Sequence, residues 1–164
     1  MNIKFFICAF CLLTVLLAGC SYLQTGINPG HEKWPALVAE VEGDVELAVL
    51  GYARYRPHET EAEKTDLAAK LTSVKAFVTD TYLPIVTGEA VTWGDVQDML
   101  TGAFVEDPFL AAITNKVFHL VKWKFDLYQY DDAEVIPAEY IPALVAVGET
   151  AVEASDKAIA FYTQ

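Results

Sequence analysis

The residues of this chain that could do chemistry are few, and no common catalytic signature joins them. The 164 residues include three cysteines and three histidines. Cys8 and Cys11 have the C-x-x-C spacing typical of redox or metal sites, but both lie inside an apolar N-terminal run. No G-x-S-x-G, G-x-G-x-x-G, G-x-x-x-x-G-K-[ST] or H-E-x-x-H motif occurs, and no histidine stands three residues after a glutamate. We therefore predict no catalytic residues and no enzyme activity.

One cluster has the composition of a metal site. His58 is followed by three alternating carboxylates, Glu59, Glu61 and Glu63. Alternating residues do not face a single point on a helix, and acidic side chains are favoured at a helix start by the helix dipole. Thr60 and Glu63 also fit a capping box. We interpret the cluster as a helix start and predict no metal site.

A second group stands out by its charge. The stretch 108–125 contains no acidic residue, although the chain as a whole carries 23 acidic and 11 basic side chains. Lysines next to aromatic rings suit a surface that contacts lipid phosphates or an acidic partner. The alternative, which we favour, is that the lysines pair with acidic residues 40–46 while the aromatic rings join the core. The candidate contact surface consists of Lys116, Lys122, Trp123 and Lys124.

The N-terminal segment has the features of an export signal. Met1–Lys4 carries one lysine, and the apolar run Phe5–Ala18 is broken only by Thr14. A run of this length matches the apolar region of a signal peptide, whereas a membrane-spanning helix needs about 20 apolar residues. The run ends in Leu17-Ala18-Gly19-Cys20, which resembles the lipobox of bacterial lipoproteins in all four positions. No specific family is recognised for the rest of the chain.

This resemblance implies a location and a modification. Residues 1–19 would be a removed signal peptide, and Cys20 would carry a diacylglycerol thioether and an N-acyl chain, with no other cofactor. Ser21 stands where this class uses aspartate for inner-membrane retention, so the outer membrane is favoured if the host is Gram-negative, with the protein facing the periplasm or the cell surface. The alternatives are an uncleaved membrane anchor and an ordinary secreted protein.

Removal of the signal peptide would make the chain more acidic. One lysine is lost, which leaves 10 basic against 23 acidic side chains and a formal charge of -13. So acidic a domain is not expected to bind nucleic acid, and its apolar content argues against disorder. Residues 20–33 are predicted to be a lipidated N-terminus and tether, followed by one domain over 34–164.

The apolar spacing within that domain is mostly helical. Apolar residues recur every three or four positions across 38–55, with Pro35 placed for a first helical turn. Between residues 40 and 49, however, the odd-numbered positions are apolar or glycine and most of the even-numbered ones are acidic, as in a half-buried strand. A strand over 38–50 is therefore the alternative. Four further helices are predicted at about 60–84, 92–102, 107–130 and 137–164. The sequence therefore predicts an all-α fold, an antiparallel helical bundle of four long helices plus one short helix.

The fourth predicted helix is apolar on two faces, so we expect it to be the central element of the fold. The alanine-rich last helix is expected to pack tightly against it. His119, within the fourth helix, is interpreted as a hydrogen-bonded core or boundary histidine.

These expectations favour a function in binding. We predict a lipid-anchored envelope protein that binds another envelope protein or a cationic peptide or toxin, as small exclusion or immunity lipoproteins do. The alternative is a carrier or sensor of a hydrophobic small ligand or lipid. Its pocket would lie inside the bundle, lined by the aromatic residues of the fourth helix together with Phe77 and Phe104.

Overall fold

The computed structural model describes residues 27–163, and this part of the chain is all-helical without a β-strand. The predicted all-α class is therefore confirmed. A π-helical turn at Val78–Tyr82 joins the second and third helices into one continuous helical segment, and short 3-10 turns lie at Leu127–Gln129 and Ala138–Tyr140. The helices are α1 (Trp34–Tyr55), α2 (Glu61–Phe77), α3 (Leu83–Val86), α4 (Trp93–Gly102), α5 (Pro108–Lys124) and α6 (Ile141–Tyr162).

Helix α1 settles the ambiguity of residues 38–50. The helix is continuous through this segment, and its buried side chains recur at helical spacing, so the strand alternative is wrong. Gly43 lies in the middle of α1 with no atom within 4 Å of the position that a Cβ would take. The helix therefore tolerates this glycine because packing on the apolar side outweighs its low helix propensity.

The helix starts predicted at about residues 60, 92 and 107 are confirmed, and each has a side-chain cap. At the start of α2, the Glu63 backbone N–H donates to Thr60 Oγ1 at 3.2 Å and the Thr60 N–H donates to Glu63 Oε2 at 2.9 Å. Thr92 and Asp95 form the same reciprocal pair at the start of α4. Asp107 caps α5. Each cap satisfies backbone N–H groups that the first helical turn leaves unpaired.

The segment around Pro84 differs from a simple helix end. Proline has no N–H to donate to the carbonyl four residues earlier, so Pro84 was expected to end or kink the helix. Instead the chain forms the π-helical turn before Pro84 and remains helical to Val86. Tyr82, at the end of this turn, is buried and its hydroxyl donates to the Leu144 carbonyl at 2.9 Å. The π turn thus places a tyrosine that ties the helical segment to α6.

Helix α5 is shorter than predicted. It ends at Lys124, not near Tyr130, because Asp126 adopts a left-handed backbone conformation with φ of 54°. Aspartate tolerates this conformation better than most residues. The apolar stripe continues beyond the helix, but the chain leaves helical geometry and a 3-10 turn follows. Hydrophobic spacing alone therefore overestimated the helix by about one and a half turns.

The prediction that α5 is central and packs against α6 is wrong. Helix α6 packs closely on α1 and α2, whereas α5 packs on α1 and α4 and has few close backbone approaches to α6 or α2. Small residues of α6 face α2 and the π turn instead. Gly148 lies against Tyr82, and Ala158 is fully buried beside Leu71. On α5, Phe109 and Trp123 remain partly exposed, so only one of its two apolar faces is covered.

The buried side chains form two neighbouring clusters. The larger one contains Trp93, Phe125 and Tyr140, and it also includes Ile27, which lies upstream of α1. The smaller one joins Tyr52 of α1 and Leu110 of α5 to α2 and α6. The boundary between these two clusters is where the packing of the fold is incomplete.

Candidate functional site

An apolar cavity of about 100 Å³ lies at this boundary, between α1, α2, α4, α5 and α6. Its wall includes residues from both core clusters, and almost all of the wall surface is carbon. Phe77 and Phe104, which the sequence placed in a ligand pocket, both line it. Of the α5 aromatics only Phe118 does so among the described residues, and the sequence did not single out Trp93, which also contributes to the wall.

The polar atoms of the wall are already engaged within the protein, with one exception. The hydroxyls of Tyr52, Tyr82 and Thr114 donate internal hydrogen bonds at 3.1, 2.9 and 3.0 Å. Burial raises the pKa of the Tyr52 and Tyr82 hydroxyls well above the ordinary value, so both remain protonated donors. The indole N–H of Trp93 is buried and has no partner among residues 27–163. The surface of the wall is thus almost entirely apolar.

Two aromatic rings mark the exposed side of the cavity. Phe77 from α2 and Phe104 from the loop before α5 meet edge to face, with ring centroids 5.1 Å apart, and both are only partly buried. Phe104 has φ of 58°, a left-handed conformation that is uncommon for residues other than glycine. The Asp107 N–H donates to the Phe104 carbonyl at 2.9 Å and fixes this turn. The loop therefore holds Phe104 against the cavity in a strained backbone conformation.

Asp107 connects three helices beside the cavity. Its Oδ2 atom accepts hydrogen bonds from Lys70 Nζ at 2.8 Å and from the Tyr52 hydroxyl at 3.1 Å, and Arg56 Nη2 lies 3.6 Å away. Burial by itself raises the pKa of Asp107, but the hydrogen bonds from Lys70, the Leu110 backbone N–H and Tyr52 outweigh it and lower the pKa to about 2. The carboxylate is therefore ionised at neutral pH and has a structural role at the cavity edge.

The lysines of the candidate contact surface do not form one free patch. Lys122 pairs with Asp132 at 3.3 Å, and Lys124 pairs with Glu40 of α1. Lys116 is exposed and forms no ion pair within the described part of the chain. Trp123 is 37% exposed, and the Lys124 ammonium lies 5.2 Å from its ring centroid. Two of the three lysines thus neutralise carboxylates of the same chain.

Two chain segments that carry exposed acidic residues, 89–98 and 131–134, adjoin in the fold. The loop after α5 runs against the start of α4, where the Gly94 N–H donates to the Asp132 carbonyl at 2.7 Å. Gly94 permits this approach because a Cβ at that position would lie 2.9 Å from the same oxygen. We call the resulting surface the acidic face; its residues are Glu89, Asp95, Asp98, Asp131, Asp132 and Glu134.

The histidines are placed in ordinary structural roles. His58 Nδ1 lies 2.7 Å from the Arg56 carbonyl, and its ring packs against Tyr162. The Thr60 backbone N–H donates to Glu63 and lowers the pKa of that carboxyl, as the capping interpretation requires. His119, interpreted from the sequence as a hydrogen-bonded core or boundary histidine, is exposed, with Nδ1 3.4 Å from the Tyr128 hydroxyl. Within residues 27–163 no group of three or more metal-ligating side chains is close enough to hold a metal ion.

The predicted lipid attachment site lies outside the described residues. Cys20, the lipobox and the signal peptide all precede residue 27. Within residues 27–163, no helix combines the length and apolar character needed to cross a membrane. Comparison of the chain with protein-family models, with curated proteins and with solved structures gives no match.

Proposed function

We propose that the chain is a lipid-anchored, non-enzymatic protein of the bacterial cell envelope that acts by binding. Its domain would be an antiparallel bundle of four long helices plus one short helix, held at the outer membrane through lipid on Cys20. The partner would be another envelope protein or a cationic peptide or toxin, in keeping with an exclusion or immunity role.

The observation that carries this proposal is the surplus of negative charge on the surface. Seven of the 10 basic side chains of residues 27–163 lie in ion pairs, and these pairs involve seven of the 23 acidic side chains. Sixteen carboxylates therefore form no ion pair with the described residues. Such a field attracts cationic partners and raises their association rates. The acidic face is where acidic residues from two chain segments adjoin.

The short link to the predicted anchor would keep the domain close to the membrane. Ile27 is buried in the larger core cluster and follows Cys20 by seven positions. Seven extended residues span at most about 25 Å. A domain attached in this way would meet partners near the headgroups, while its negative charge would be repelled by anionic lipid.

The anchor is tested by replacing Cys20 with alanine. We expect the wild-type protein to partition into membranes and to carry a mass increase that matches two or three acyl chains, because a single chain anchors a protein only marginally. The variant should lose both the added mass and the membrane partitioning. Cys8→Ala is the matched control, since Cys8 is not part of the lipobox, and it should behave as wild type. Unchanged partitioning and mass of Cys20→Ala would contradict the lipoprotein assignment.

The binding function is tested with a synthetic decalysine peptide and the purified full-length chain. We expect binding that weakens about tenfold or more between 50 and 500 mM salt, because screening removes the interaction between exposed charges. Neutralising three unpaired residues of the acidic face (Glu89→Gln, Asp98→Asn and Glu134→Gln) should weaken binding several-fold. Lys116→Gln, which removes an unpaired lysine elsewhere, should not weaken it. Absent or salt-insensitive binding would contradict the electrostatic function.

A second candidate function is a carrier or sensor for a hydrophobic small ligand or lipid. The cavity between the two core clusters favours it, because a fully packed core would leave no room for a ligand. Both candidates are binding functions, but they use different surfaces and different chemistry.

A further inference from the structure

We propose that the cavity binds a compact hydrocarbon group of about the size of a benzene ring, and that this group enters past Phe77 and Phe104. The inference deepens the second candidate function and rests on it. It names the class of ligand, the size limit and the entrance.

The size and chemistry of the cavity define the ligand. Its volume is about 100 Å³, whereas pockets for drug-sized ligands measure roughly 300–1,000 Å³. Apolar cavities of about 150 Å³ in other proteins stay dry and take up benzene or xenon. A stable water needs two to four polar partners, and the surface of this wall is almost entirely apolar. The cavity is thus suited to a small aromatic ring or the end of an alkyl chain and excludes a whole lipid.

The entrance follows from the way the helices pack. Helices α2 and α5 both line the cavity but have few close backbone approaches to each other. The Phe77 and Phe104 rings meet on its exposed side. Side-chain rotation of exposed aromatic residues and movement of a surface loop are fast compared with opening of packed helices. The strained Phe104 loop is therefore the part of the wall that can open at the lowest cost.

The experiment measures the change in melting temperature of the full-length chain when benzene is added. At ten times its dissociation constant, benzene should raise the melting temperature of the wild-type protein by about 3–6 °C, because it binds the folded state alone. Val117→Phe, which adds volume to the cavity wall, should abolish this shift. Ala151→Leu fills the same cavity from α6 and serves if Val117→Phe fails to fold. Phe161→Ala, at a residue that is 78% exposed, is the matched control and should keep the full shift.

Octanoate distinguishes the two sources of the hydrocarbon. If octanoate also raises the melting temperature, and the filling variants remove its effect, the site takes the end of an acyl chain. If benzene alone acts, the ligand is a compact free molecule. The inference is overturned if neither probe stabilises the wild-type protein, or if the filling variants respond like wild type. A negative result with benzene and octanoate does not affect decalysine binding, so the two candidate functions are tested separately.

The entrance is tested by Phe104→Gly. Glycine removes the ring and adopts the left-handed conformation without strain. We expect the variant to exchange bound and free benzene at least tenfold faster than wild type in NMR, while the chemical shifts of bound benzene remain similar. An unchanged exchange rate would show that the ligand enters elsewhere and would overturn the assigned route.

Discussion

Replacing Asp107 by alanine is expected to lower the free energy of unfolding by about 3 kcal/mol. The substitution removes the cap of α5, which by itself is worth about 1 kcal/mol. It also removes the closest carboxylate of Lys70 and one of the two carboxylates near Arg56, and breaking a partly buried ion pair costs more than breaking an exposed one. Asp66 remains 3.6 Å from Arg56, so the loss of stability should be smaller than the cost of leaving a buried charge without any partner. Urea denaturation of both proteins measures the difference.

Asp107→Asn separates the cap from the charge. Asparagine caps helices about as well as aspartate but cannot form the ion pairs. We therefore expect a loss of about 2 kcal/mol, intermediate between wild type and Asp107→Ala. If both variants stay within 0.5 kcal/mol of wild type, a range usual for simple surface substitutions, the proposed role of Asp107 is wrong.

The pH dependence of the same difference provides an internal check. The pKa of Asp107 is about 2 in the folded protein, against an ordinary value of 3.8. Because the folded-state pKa is lowered, the stabilisation is fully present above pH 3.8 and is lost as the pH falls through about 2. This stabilisation amounts to about 2 kcal/mol, because each unit by which the pKa is lowered corresponds to 1.36 kcal/mol. The stability gap between wild type and Asp107→Asn should therefore narrow between pH 4 and pH 2.

Asp107 also shows how much of a site a sequence can predict. Its capping role follows from its position directly before Pro108, because a cap depends on residues within three positions. Its contacts with Tyr52 and Lys70 span 55 and 37 positions, and no local pattern encodes them. The capping pairs of α2 and α4 were predictable for the same local reason. The ion-pair network required knowledge of which helices are neighbours.

Helix packing was the main feature that the sequence did not determine. Two apolar faces on α5 predicted a central helix. However, the last apolar residues of these faces lie beyond the α-helix, in and around a 3-10 turn, and Trp123 lies at the surface. The small residues of α6 did predict a close approach. They did not identify the partner, which proved to be α1, α2 and the π turn. A stripe specifies that a face is buried, whereas the choice of neighbour depends on shape complementarity along the whole helix.

The cavity was predictable from the sequence only in part. Phe77 and Phe104 were predicted to line a pocket, and both do so. Trp93 was missed because the residue after an N-cap gives no sign of whether its side chain enters the core. The volume of the cavity depends on small misfits among many side chains, and these are not encoded in spacing.

Gly148→Ala is expected to lower the free energy of unfolding by about 1 kcal/mol. A Cβ at this position would lie 2.8 and 2.9 Å from two ring carbons of Tyr82 and 3.1 Å from the Leu83 side chain. The ring cannot retreat easily, because it is buried and its hydroxyl is hydrogen-bonded to the Leu144 carbonyl. Overpacking of this kind costs about 1–3 kcal/mol, which the higher helix propensity of alanine offsets by at most about 1 kcal/mol.

Gly43→Ala is the matched control, because it makes the same substitution inside a helix where no atom lies within 4 Å of the new Cβ. Here only the higher helix propensity of alanine acts, so we expect the free energy of unfolding to rise by about 0.5–1 kcal/mol. Opposite signs for the two variants in urea denaturation would show that α6 approaches the π turn through Gly148. If Gly148→Ala also stabilised the protein, Tyr82 would not be packed against α6 as described, and the wall of the cavity that both residues share would have a different shape.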